Sequence, residues 1–308
     1  MLAEGFYWLL NMSIAGGAVG LLLLALRKIK RIPRSFLYGL WIAPMIRLSL
    51  PFGLSGQYSI MTLISKFAAK TVPVFYTDDS GLLFSCTNYI QSAEEYFPLV
   101  YKTDRLETVF QVLSYVWVTV AAAALLTAGI LYYFTKKEVR NARRLRGNVY
   151  ISHRITAPAL YGVFCPKIIL PASLEKKDRK YVIMHERAHA KRGDNFWRAA
   201  GIFLCCVHWF NPVCWLCLKY FFEDMELSCD CRVLKGLGRE DTKAYALSVL
   251  SAAASRSPFS SAFGGAGIKI RIENILSYKR LTLAASLVSG LLTATVILWL
   301  VTNALPSP

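Results

Sequence analysis

The sequence predicts a mainly α-helical membrane protein: four transmembrane helices, with a cytoplasmic α+β body inserted between the third and the fourth. Three observations predict it. Apolar residues make up 55% of the 308 positions, and they gather in four stretches near the length of about 20 residues that crosses a bilayer. Lys and Arg cluster beside those stretches on sides that agree with one another. Between the third and fourth stretches lies a long polar segment that opens on strand-like residues and continues as helix.

The first stretch runs from Phe6 to Leu26. Its lead-in carries Glu4 and no Lys or Arg, and its apolar run is too long for a signal core, so it reads as a span rather than a cleaved leader. The second, Phe36 to Leu54, contains Pro44, Arg47 and Pro51. It still reads as a span, because otherwise the basic segments would fall on opposite faces of the membrane. The third is Leu106 to Phe134 and the fourth Leu281 to Val301.

Arg27, Lys28, Lys30, Arg31 and Arg34 fill the turn between the first two spans. A second basic cluster, from Lys136 to Arg146, follows the third, and Lys279 and Arg280 precede the fourth. Positive flanks mark the cytoplasmic side, so both termini are expected outside. The expected plan is therefore spans 1 and 2 in residues 1–54, an extracellular loop at 55–105 and a third span at 106–134. A cytoplasmic domain at 135–280, a fourth span at 281–301 and an extracellular tail at 302–308 complete it.

These flanks account for much of the net charge of +17, with membrane lipid as the partner they imply. No helix-turn-helix or zinc-finger pattern accompanies the charge, so direct nucleic-acid binding is not expected. The eight cysteines do not form a disulfide framework: only Cys86 falls in the expected outside loop.

Within the cytoplasmic body, Val149 to Pro171 reads as a strand, a turn and a second strand at Lys167 to Leu170. A helix is expected from Leu174 to about Phe203. The apolar run Ile202 to Phe222 is interrupted by His208, Asn211, Pro212 and Lys219. A fifth crossing there would put Glu223 to Tyr278 outside, against Lys279 and Arg280, so a membrane-adjacent buried hairpin is expected. A further helix covers Phe222 to Leu234, and Ser255 to Gly267 reads as a mobile loop rich in Ser, Gly and Ala.

The chemistry centres on His185-Glu186-Arg187-Ala188-His189. Histidines four apart on a helix project from one face and can grip one metal ion. Glu186 can take a proton from a water that zinc acidifies to a pKa of about 7. With four histidines in the chain, chance gives this pattern on the order of once in several hundred such sequences. Catalytic zinc usually has a third protein ligand. Glu223, Glu226 and Asp230 share a helix face and offer one, with another left to orient a ligand imidazole. The plainer reading of these three, a solvated acidic face, is weakened by the apolar run before them and by Cys229. Cys214-x-x-Cys217 with Cys229-x-Cys231 is the weaker candidate for a second zinc site, since cysteines in an apolar helix are commonly buried packing residues.

From Val149 to Leu234 the chain resembles the M56 peptidases, the family of the BlaR and MecR antibiotic-response transducers. The resemblance rests on HERAH followed by Arg192-Gly193-Asp194, on His208-Trp209-Phe210-Asn211-Pro212, and on Glu226-Leu227-Ser228-Cys229-Asp230. The pattern at Pro158, Gly162 and Ile168 to Pro171 and the four spans extend it over nearly the whole chain. The resemblance implies a gluzincin arrangement. His185, His189 and Glu226 would hold Zn2+, Glu186 would be the general base, and Asp230 would hold a ligand histidine. His208 is a candidate oxyanion donor, beside the plainer reading of a histidine with a structural hydrogen bond.

The family's transducers carry a penicillin-binding sensor outside, after their last span. The seven residues that follow Val301 here leave no room for one, so a peptidase without that sensor is expected. The implied function is signal-dependent cleavage of a cytoplasmic protein such as a winged-helix repressor, and of the chain's own 255–267 loop. A homodimer stays open. Two other readings stand beside it: an inactive signalling scaffold that binds a partner, and a general membrane quality-control protease.

Overall fold

A computed structural model describes residues 2–29, 32–50, 104–254, 267–278 and 283–302. The expected external loop at 55–105 lies outside the described residues apart from its last two positions. Nearly all of the expected mobile loop, and Lys279 and Arg280, lie outside them as well.

The chain begins with a 26-residue helix, α1 (Leu2–Arg27). The expected second span is two short helices, α2 (Arg34–Leu40) and α3 (Ile42–Ser49), meeting at Trp41. Pro44 lies in the first turn of α3 and has no N–H to give the carbonyl four residues back, which breaks the ladder there. Arg47 is fully buried in α3, and its guanidinium donates to the carbonyls of Leu300 at 3.0 Å and Thr302 at 2.5 Å. It thereby satisfies the last carbonyls of the final helix, which explains how a cation fits an apolar stretch.

The long helix α4 (Asp104–Val139) follows and leads into four short strands: β1 (Arg143–Arg146), β2 (Val149–Ser152), β3 (Ala159–Tyr161) and β4 (Lys167–Pro171). The sheet order is β1-β2-β4-β3, with β2 and β4 parallel and both outer pairs antiparallel. The sequence reading found two of these strands and missed β1 and β3, whose residues are exposed or only half-buried. Ile168 and Leu170 alternate onto one face and are completely buried, where Val149, Leu174 and Val182 join them. Val182 belongs to the HERAH helix, so this small core fixes that helix on the sheet.

The long helix expected from Leu174 is two helices, α5 (Lys176–Arg192) and α6 (Asp194–Val207). Gly193 separates them with φ +68°, a left-handed conformation that ends α5 and costs glycine little. The expected hairpin arm and acidic helix are in turn one continuous helix, α7 (Pro212–Leu234), begun by the Asn211 side chain accepting from Val213 N–H. Among the described residues three further helices follow, α8 (Arg239–Ala254), α9 (Ile268–Leu276) and α10 (Leu283–Val301).

The α6–α7 hairpin buries one face among the apolar helices, while Phe203 and Leu216 on it stay exposed. Asn211 at its tip donates to the Ser13 carbonyl and hydroxyl in the middle of α1, at 3.0 and 2.8 Å. Trp117 of α4 donates to the Val207 carbonyl at 2.8 Å. Val19 and Leu23 of α1, Leu40 and Trp41, Leu218 and Phe221 of α7, and Leu300 of α10 share the largest core. Close approach is possible because small residues face it: a Cβ at Gly20 would stand 2.6 Å from the Cys217 sulfur.

Leu2–Arg27 and Thr108–Val139 are long and apolar enough to cross a membrane, and Leu287–Val301 is a shorter apolar helix. The most apolar window of Thr108–Val139 is only 17% buried, so this is not the covered helix of a water-soluble core.

Candidate active site

His185 and His189 stand one turn apart on α5, both buried, with their Nε2 atoms 3.0 Å from each other. Each ring is held from behind. His189 Nδ1–H donates to Asp194 Oδ2 at 2.5 Å. Asp194 is the first residue of α6, so the glycine break that ends α5 also turns this carboxylate back onto the helix. His185 Nδ1–H donates to the Tyr245 hydroxyl at 2.8 Å, and Tyr245 donates to Asp230 Oδ1 at 2.5 Å. In the tautomer in which both Nδ1 atoms donate, the two Nε2 atoms face one another as a pair that a metal could bridge.

Glu226 of α7 closes the third side. Its Oε2 is 3.3 Å from His185 Nε2, and its Oε1 is 3.4 Å from His189 Nε2. Arg198 donates to Oε1 at 2.6 Å. Oε2 is buried and has no hydrogen-bond partner among the described residues. A buried carboxylate oxygen without a hydrogen bond, beside two imidazole nitrogens crowded to 3.0 Å, is a donor set that a cation would fit. Cys229, one turn further along α7, is fully buried and completes a cluster whose His, His and thiol ligand atoms all lie within 4.8 Å of one another.

Opposite charges hold the cluster together. Burial opposes ionisation of Glu226, but His189 and His185 outweigh it and hold the carboxyl well below its usual range. Burial likewise opposes charge on His189, yet Cys229, Glu226 and Asp194 push its pKa up to about 10. Burial would raise the Cys229 thiol, but the two imidazoles bring it down to about 7. Burial also keeps the Tyr245 phenol protonated, as a donor to Asp230 must be. Arg271 of α9 pins Asp230 from the other side, donating through Nε at 2.9 Å and Nη2 at 2.7 Å.

A cleft of about 530 Å³ opens onto this cluster and is lined by Glu186, His185, His189, Glu226 and the stretch from Arg154 to Tyr161. β3 is an edge strand, and Asn195 holds it against α6 by donating to the Leu160 and Gly162 carbonyls, both at 2.9 Å. A smaller apolar recess between Val182, Val249 and Ile268 also reaches Glu186. Two metal-facing imidazoles with a carboxylate beside them in an open groove are the arrangement of a metallopeptidase.

Residues 7–275 match the family described as BlaR1 peptidase M56. The chain belongs to that family. Its curated M56 relatives include the "Regulatory protein BlaR1" of Bacillus licheniformis, 35% identical over 116 residues, and the "Methicillin resistance mecR1 protein" of Staphylococcus aureus, 30% identical over 103 residues. The match to the Bacillus protein covers 36% of this chain, that to the staphylococcal protein 32%, and each covers 18% of the relative's length.

The structure of this M56 chain brings His185, His189, Glu226 and Asp230 together and sets Glu186 in the cleft. It sets His208 apart. His208 lies at the far end of α6, about 20 Å along the helix from Asp194, and its Nε2 is 2.9 Å from the Leu48 carbonyl. Of its two readings, oxyanion donor or structural histidine, this geometry agrees with the second: it ties the hairpin tip to α3. The two cysteine pairs do not meet either. Cys217 and Cys229 lie on the same straight helix, about 18 Å apart by helical rise.

Sequence reasoning missed Asp194, Tyr245, Arg271 and Arg198. Only Asp194 carried a signal, its place just after a helix-ending glycine five residues beyond His189. Cys229 and Glu226 compete for the third position, and their zinc contents should separate them. Cys229→Ser is expected to keep one zinc per chain, because the thiol can instead donate to the His185 carbonyl, 3.5 Å away. Glu226→Ala should lose it, as measured by elemental analysis of the purified protein. Loss from the serine variant alone would move the ligand to Cys229.

Proposed function

We propose that the chain is an integral-membrane zinc metallopeptidase that cuts cytoplasmic protein substrates. His185, His189 and Glu226 would hold the metal and Glu186 would act as general base. The observation that carries this is the convergence of two Nε2 atoms and the orphaned Glu226 Oε2 beside an open cleft. The nitrogen and oxygen donors suit zinc, and the carboxylate neutralises part of its charge.

A bound zinc supplies the Lewis acidity that acidifies water and polarises a carbonyl. The rest falls to this chain's residues. Glu186, on the cleft wall beside His185, accepts the proton of the attacking water at its carboxylate and delivers it to the departing amine nitrogen. Asp194 and the Tyr245–Asp230 pair keep the two imidazoles from rotating. The stretch from Arg154 to Tyr161 lines the cleft as bends that run into the edge strand β3, and a peptide would lie against it. Such a groove takes an unfolded segment rather than a folded surface.

The cytoplasmic side is supported by charge and contact together. Arg27, at the end of α1, pairs with Glu223 at 2.6 Å and Asp224 at 3.0 Å, so the site lies at the end of α1 that bears the basic turn. Lys and Arg at that end mark the cytoplasm. The relatives' names, a regulatory protein and a methicillin-resistance protein, favour a regulator as substrate in an antibiotic response, such as a repressor.

The test is proteomics of cells carrying wild type or Glu186→Ala, with the full chain followed by gel. New cytoplasmic termini, and fragments cut within 255–267, should appear only with wild type. Identical termini from both would reject the peptidase and leave the scaffold reading, whereas many unrelated substrates would favour quality control.

A further inference from the structure

Asp194 is completely buried and holds His189, but its orientation is not set by its own neighbourhood alone. Arg192, two residues away, donates to both its oxygens. The remaining hydrogen bond comes from far along the chain: the Tyr38 hydroxyl donates to Asp194 Oδ1 at 2.8 Å, across 156 positions. Tyr38 belongs to α2, the start of the apolar stretch read as the second span. Its ring is held on two sides, stacked on Phe221 at 5.8 Å and covered by the Arg192 guanidinium at 4.6 Å. Such a ring has little freedom to withdraw its hydroxyl.

The opposite ligand is fixed to the same helices. Asp224, two residues before Glu226, is fully buried. It accepts from Arg27 of α1 at 3.0 and 3.1 Å and from Trp41 at the α2–α3 junction at 3.0 Å. The ligand on α5 and the ligand on α7 are thus each referenced, through one carboxylate, to the α1–α2 end.

We propose that Tyr38 is a positioning residue of the metal site, acting through Asp194 on His189, so that the second apolar segment supplies part of the peptidase's ligand support. The inference rests on the metal reading above. A phenol donating to the outer oxygen of a carboxylate fixes the plane of that carboxylate. The carboxylate plane fixes the imidazole, and loss of an outer partner of a metal-ligating histidine costs about 10–100-fold in metal affinity. One step further out, an effect near the lower end is expected.

The test is zinc affinity of the full chain in detergent, by competition with a chromogenic chelator, for wild type, Tyr38→Phe, Asp194→Asn and the double variant. Tyr38→Phe keeps the ring, its stack and the cation contact, and removes only the hydroxyl. It should weaken zinc about tenfold, while the melting temperature of the metal-free protein stays at the wild-type value. Asp194→Asn should weaken zinc further, and the double variant should be no weaker than Asp194→Asn, because Tyr38 acts through Asp194. Additive losses, or wild-type affinity in Tyr38→Phe with a weakened Asp194→Asn, overturn the positioning role and leave the metal site standing. Phe221→Leu, which loosens the stack but keeps the hydroxyl, should bind zinc more tightly than Tyr38→Phe; the reverse order assigns the effect to packing and overturns the proposal. Wild-type affinity in both Tyr38→Phe and Asp194→Asn overturns the inference alone, whereas no zinc binding by wild type overturns the inference and the metal reading together.

Discussion

Replacing Glu186 with glutamine is expected to slow cleavage of an unfolded protein such as casein by about 10²- to 10⁴-fold while one zinc per chain is retained. The amide keeps the shape of the side chain but cannot accept the proton of the attacking water. Glu186 faces both the cleft and the recess beside it, whereas the proposed ligand atoms, those of His185, His189 and Glu226, gather behind it. Activity and metal content therefore separate at this position. A parallel fall in zinc would make Glu186 a ligand, and an unchanged rate would reject it as the base.

The second large effect is one of stability. Asp230→Ala should destabilise the domain by about 3–5 kcal/mol, the usual cost of removing one partner of a buried ion pair. Both members are hidden, Asp230 at 0% and Arg271 at 6% exposure. The carboxylate accepts three hydrogen bonds, two from Arg271 and one from Tyr245. Without it the guanidinium of α9 stays in a dry site, and its Nη1, 3.4 Å from Glu226 Oε2, draws that oxygen away from the imidazoles. Reduced thermal stability together with weakened zinc binding is the expected pair of results, read by melting of the metal-free and zinc-loaded chain. A loss of zinc affinity with no loss of stability would show that Arg271 finds another partner.

The predicted site was legible where chemistry coincides with helical period. His185 and His189 announce themselves by spacing, whereas Glu223, Glu226 and Asp230 share a face of α7 and only the family resemblance chose Glu226 as the ligand. What stayed hidden was support that reaches across the chain. Tyr38, Tyr245 and Arg271 are ordinary residues of an apolar segment and two later helices, and only folding sets them beside carboxylates. Gly193 was visible as a residue but not as a break, because its helical neighbours give no local sign of the left-handed turn it takes. His208 had two readings in the sequence, and its bond to the Leu48 carbonyl agrees with the plainer, structural one. Pro44 and Arg47 looked like objections to a span; Pro44 falls in the first turn of α3, and Arg47 is accommodated by its bonds to the Leu300 and Thr302 carbonyls.

The continuity of α7 has a mechanical consequence. Its 23 residues form a rod about 34 Å long at 1.5 Å of rise per residue, with the Asn211 tip seated in the middle of α1 and Glu226 and Asp230 toward the opposite end. No glycine interrupts the rod, so it is stiff along its axis. A slide of the tip by a single residue's rise would carry Glu226 by the same 1.5 Å, while a functional constellation tolerates only about 0.5 Å. The distant apolar bundle and the peptidase cleft therefore share one gauge length.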